Sequence, residues 1–144
     1  MAHIITNGID ALYSDISMIN LYHDSVMEDI LNAEADVVVS KQRAEIERQW
    51  KGPYSLGISS RSVKKGRVKW GHGRRIIFIY PRGTRKRGKK TVRNAEIAFI
   101  NEYGAPKRNI RPRPAIREAN ERAMDEATAA GEKVYNDFLN RINL

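Results

Sequence analysis

The residues with the clearest chemical potential lie between 81 and 93. Gly83-Thr84-Arg85-Lys86-Arg87-Gly88-Lys89-Lys90 follows an apolar run and matches a phosphate-cradling loop as far as Gly-x-x-x-x-Gly-Lys. Such a loop needs Ser or Thr next, to hold magnesium, and this chain has Lys90. No later apolar strand ends in an aspartate for the second metal contact, so nucleotide hydrolysis is rejected. What remains is charge. Arg82, Arg85, Lys86, Arg87, Lys89, Lys90 and Arg93 put seven cations in one short segment, with Trp70, Phe78 and Tyr80 nearby. That combination suits a phosphate backbone or an acidic protein surface, and equally a solvated loop.

Other chemistries find little support. His3, His23 and His72 have no second ligand at helical spacing, so no metal site is expected. Gly57-Ile58-Ser59-Ser60 lacks the Gly-x-Ser-x-Gly elbow of a serine nucleophile. With no cysteine, disulfides, thiolate catalysis and thiolate metal ligands are all excluded. The sequence therefore predicts neither enzyme activity nor a cofactor. It carries no zinc finger, no RNP-like aromatic pattern and no Gly-x-x-Gly clamp, the usual base-reading modules.

The net charge of +9 is segregated along the chain. Residues 1–47 hold nine acids and two bases, residues 48–95 hold sixteen bases and no acid, and residues 96–144 are balanced. A chain patterned in this way can pair with copies of itself, an acidic patch meeting a basic one, or bind polyanions. At 144 residues it is expected to form a single domain over 1–144. No apolar window is long enough for a membrane span, and the amino terminus has no basic or long apolar leader, so synthesis in the cytoplasm is expected.

These residues need elements to hold them. Ile9, Leu12, Tyr13, Ile16 and Ile19 predict a first helix over 9–21. A second is expected from about Asp24, with Val26, Ile30, Ala33, Val37 and Ala44 on its buried face, Glu45 off it, and a kink near Val37-Val38-Val39. Trp50-Lys51-Gly52-Pro53 ends it. The period then changes. Tyr54, Leu56 and Ile58 alternate as a first strand, Val68 and Trp70 belong to a second, and Ile76 to Tyr80 form a third, making an antiparallel meander. Residues 81–93 read as a mobile basic loop, since Val92 is their only apolar anchor. Asn94 is placed to cap a short helix over 95–102.

The last helix, from Pro114 to about Ile142, sets Ile116, Ala119, Ala123, Ala127, Ala130, Val134 and Phe138 on one seam, with Gly131 as a candidate bend. The predicted fold is therefore α+β. It has a small antiparallel sheet of three to four strands, two amino-terminal helical segments and a long carboxy-terminal helix.

Ile97-Ala98-Phe99-Ile100 runs into Glu102-Tyr103-Gly104, and Arg111-Pro112-Arg113-Pro114 leads into the last helix. Gly104 is expected at φ > 0, Tyr103 buried at a helix end, and the Arg-Pro pairs extended. Pro114 suits a first helical position. Ala98, Glu102, Tyr103, Gly104, Arg113, Pro114 and Ala119 resemble the pattern of the tail-completion, or head–tail joining (neck), proteins of long-tailed bacteriophages. Where that family often has an aromatic after Arg-Pro, this chain has Ala115-Ile116.

The resemblance implies a structural virion protein without catalysis. It would form a ring of six copies between the head connector or adaptor and the tail tube or tail terminator, with DNA in its lumen. The alternative reading is a small basic protein that binds nucleic acid without sequence preference, gripping phosphates through residues 82–93.

Overall fold

The computed structural model describes residues 7–52 and 57–143. The chain is a mixture of helices and small antiparallel ladders. Helix α1 spans Asn7–Gln49, 43 residues, as one uninterrupted element. The two segments expected there are continuous because no glycine or proline occurs between Gly8 and Gly52. Nothing forces the backbone out of helix at Asp24, and the three valines are helical as well.

Helix α4, Ala115–Arg141, packs antiparallel along the carboxy-terminal two thirds of α1. Its seam of Ala115, Ala119, Ala123 and Ala127 is buried, as is Phe138. Ala130 and Val134 are only half-buried. Gly131 marks a close approach of the two helices. A Cβ there would stand 3.0 Å from Glu34 Cγ on the facing helix. The buried stripe of α1 is Val26, Ala35, Val39, Gln42, Glu45 and Ile46. Ala44, expected inside, is exposed, and Glu45, expected outside, is buried. The partner decides this: Arg122 on α4 reaches Glu45, at 3.0 Å.

Between these helices the chain forms α2 (Ile58–Ser62) and three two-stranded ladders instead of one three- or four-stranded sheet. Ile58 opens α2 and so is not in a strand; Tyr54 and Leu56 lie outside the described residues. β1 (Val63–Lys65) pairs with β4 (Ile79–Pro81), and β2 (Lys69–Gly71) pairs with β3 (Arg74–Ile76). Both ladders belong to one hairpin turning at His72-Gly73, which have φ of 52° and 70°. Three residues separate β1 from β2 but two separate β3 from β4, so the register slips by one, as at a bulge. The bulge breaks the single strand expected over Ile76 to Tyr80.

Residues 84–93, read from sequence as a loop, are a second hairpin, β5 (Thr84–Arg87) with β6 (Lys90–Arg93). Its two-residue turn has Gly88 at φ 62° followed by Lys89, the Gly-x pattern that suits a tight hairpin. Helix α3 (Asn94–Tyr103) follows directly. The core gathers Val39, Ile46 and Trp50 from α1, Val63 from β1, Ala98 from α3 and Ala115 from α4.

Candidate interaction surface

Glu102-Tyr103-Gly104 and Arg113-Pro114 meet in one joint. Glu102 is buried at the end of α3, and its carboxylate accepts the backbone N–H of Ile116 at 2.9 Å and of Arg117 at 2.8 Å. It thus caps α4 from another helix, satisfying two of the donors a helix start leaves unpaired and placing negative charge at the positive end of the dipole. This is why Pro114 stands just outside α4 and is not its first residue. Arg113 donates to Asn101 Oδ1 at 2.7 Å and Gln49 O at 3.3 Å, while its own carbonyl accepts the Trp50 indole N–H at 2.8 Å. One arginine therefore ties the ends of α1 and α3 to the start of α4.

Gly104 has φ 77° and ψ 178°, as expected of a glycine-only position. A Cβ would lie 2.7 Å from Ile110 O and 2.9 Å from Pro112 N. Tyr103, expected inside, is 67% exposed. The reason is spacing: α3 buries Asn94, Ala98 and Glu102, every fourth residue, which turns Tyr103 outward against Phe99 at 4.8 Å between ring centroids.

The seven cations of residues 82–93 do not act alike. Arg85 is half-buried and donates to Asn94 Oδ1 at 2.7 Å and Ser59 Oγ at 2.9 Å. Burial, then the neighbouring Arg87, pushes its guanidinium pKa down. Arg85 therefore anchors the hairpin to α2 and α3. Asn94, expected as a helix cap, is the first residue of α3; its side chain also donates to Arg82 O at 2.7 Å, clasping both ends of the hairpin. Arg82 lies over the Tyr80 ring, 5.0 Å from its centroid. The remaining five, Lys86, Arg87, Lys89, Lys90 and Arg93, are exposed and form no ion pair among the described residues. Arg87 and Lys90 are direct cross-strand partners, a like-charge pair that disfavours the free hairpin.

Part of the charge segregation is consumed inside the chain. Asp24 and Glu28 of α1 hold Arg75, and Asp36 holds Lys65 at 2.7 Å. Glu45 is the centre of a further network with Arg48, Gln49 and Arg122. Hydrogen bonds from Arg48 first and Gln49 second bring its pKa down to about 2. Asp10 and Asp15 near the start of α1, and Lys86, Arg87, Lys89, Lys90 and Arg93 on the second hairpin, are among those that form no ion pair among the described residues.

His23 sits 3.5 Å from Asp24 on the exposed side of α1, His72 is in a hairpin turn, and His3 lies outside the described residues. Among the described residues no three His, Cys, Asp or Glu side chains converge, and no helix is long and apolar enough to cross a membrane. The Gly83–Lys90 segment is a hairpin, which leaves no phosphate-cradling loop at that place. The Glu102 cap and the Asn94 clasp were not foreseen from sequence, because each joins residues that only folding brings together. An asparagine directly before an apolar helical run was the one local hint.

Comparison with protein families, characterised proteins and solved structures finds no match.

Proposed function

We propose that this chain is a structural subunit of a bacteriophage neck, a tail-completion or head–tail joining protein that assembles as a ring through which DNA passes. The observation that carries the reading is the joint. The motif positions that resemble that family, Glu102, Gly104, Arg113 and Pro114, are contiguous in space and fix how α3 meets α4. A motif of this kind preserves a shape, which is what a ring subunit requires. Unpaired cations on the hairpin and an unpartnered apolar stretch of α1 further suit a chain covered by neighbours. Its partners would be other copies, the head connector or adaptor, and the tail tube or terminator.

The test is genetic and structural. Removing the chain from its phage should leave filled heads and free tails in electron micrographs, and supplying it in trans should restore joined particles. Joined, infectious particles made without it would overturn the reading. The five unpaired hairpin cations favour a second reading, non-specific nucleic-acid binding. Duplex affinity tighter than about micromolar at physiological salt, beyond ordinary non-specific contact, would favour that reading over the first.

A further inference from the structure

Two surfaces have no partner among the described residues, and they match. The first is the beginning of α1. Near its end α4 meets α1 where Phe138 packs edge-on against Tyr22 at 6.4 Å and Arg141 and Ile142 border Met18, so about three turns of α1 project beyond it. On this arm Ile9, Leu12, Tyr13 and Ile16 are exposed. At helical spacing they form one stripe, and Asp10 and Asp15 fall on its two flanks. Neither aspartate forms an ion pair among the described residues, and residues 8–24 contain no lysine or arginine.

The second surface is a groove of about 690 Å³ between the β5–β6 hairpin and α3. Val92, Ile97, Phe99 and Ile100 give it an apolar lining. Arg87 and Lys90 from the hairpin and Arg108 from the 3-10 turn after α3 give it positive charge, against the single acid Glu96.

We propose that the α1 arm of one copy seats in the hairpin–α3 groove of a second copy, apolar stripe to apolar lining and aspartates to cations. It is a helix-in-groove contact. The arm cannot fill its own groove. Ile16 and Trp50 are 34 residues apart on one continuous helix, about 50 Å, and α3 packs near the Trp50 end. Two arms pairing with each other would bring four aspartates together with no base to offset them, which favours the groove as the seat. Joining unlike patches makes the contact heterologous, so it repeats into a closed ring or an open filament. This deepens the ring reading and rests on it for biological role alone; self-association of the purified chain tests the contact, and phage assembly tests the role.

The purified chain should show a light-scattering mass above its 16.5 kDa monomer. D10K/D15K and R87E/K90E/R108E should each fall to monomer mass while keeping the wild-type circular dichroism spectrum. An equimolar mixture of the two should regain the higher mass, because each reversed arm meets a reversed groove. The absence of native cysteine allows a second measurement: Leu12→Cys and Ile97→Cys chains should be joined by a short bis-maleimide only when mixed. A monomeric wild type, a mixture that stays monomeric, or Leu12→Cys chains joining to each other would overturn the proposal.

Discussion

Gly104 shows how one residue fixes a joint. Its φ of 77° and the 2.7 Å approach of Ile110 O exclude any side chain, and both obstacles are backbone, which has no room to yield. Gly104→Val should cost about 1–3 kcal/mol, the range of strained backbone positions, read as a lowered thermal or denaturant midpoint. Its neighbour Glu102 binds two α4 amides, and Glu102→Ala should cost about 1–3 kcal/mol, because two amides at the start of α4 lose a charged acceptor. An unchanged melt for either variant would remove it from the joint.

Glu45 makes a pH prediction. Its folded pKa is depressed to about 2 from an ordinary 4.5, chiefly by Arg48. The folded state therefore binds its proton less readily than the unfolded one, and the stabilisation is full above about pH 4.5. It is lost as pH falls toward 2. Glu45→Gln should lower the melting temperature at neutral pH and flatten its decline between pH 4.5 and 2. A parallel decline in both proteins would refute the assignment.

At the scale of elements, α1 and α4 approach closely because alanine and glycine line the seam. Gly131 faces Glu34, whose carboxyl pKa is pushed up by burial between the helices. A methyl at Gly131 gains about 1 kcal/mol of helix propensity but must displace Glu34. Gly131→Ala should therefore stabilise a Glu34→Ala protein by about that amount and the wild type by less. Equal gains in both backgrounds would show that the close approach has no energetic consequence. The two hairpins are set by tertiary contacts to a greater degree than the helices, since an isolated two-stranded ladder is marginal in water. β1 owes its place to Val63, the largest fully buried side chain among the described residues, whose carbonyl accepts from Arg43 at 2.8 Å.

For the molecule as a whole, the question is what meets the exposed cations. Changing Lys86, Arg87, Lys89 and Lys90 together to glutamate spares Arg85, which holds the hairpin down. The variant should keep its fold, since exposed positions carry little stability. If the chain is a neck subunit, wild-type DNA affinity should be weak from the outset and the variant should fail to join heads to tails. If it is a nucleic-acid binder, the variant's affinity should collapse and its salt slope fall by about 0.9 for each phosphate no longer neutralised.

Much of the helical content was legible in the sequence, because its signals are local. The alanine seam at 119, 123 and 127 follows from period alone, and the positive φ of Gly104 from a glycine at a helix end. The cluster of cations needed only counting. What period could not give is which of two polar faces a partner would neutralise. Glu45 is inside because Arg122, 77 residues away, reaches it, and Glu102 is inside because α4 begins against it. The same limit applied to residues 84–93. Their composition has little apolar anchor, so they read as a loop, and they form a hairpin because Asn94 and Ser59 hold Arg85. The sequence by itself determined where helices can run and where charge accumulates; only the tertiary structure decided which charges are spent inside the chain, because burial of a polar group depends on a partner that local sequence does not contain.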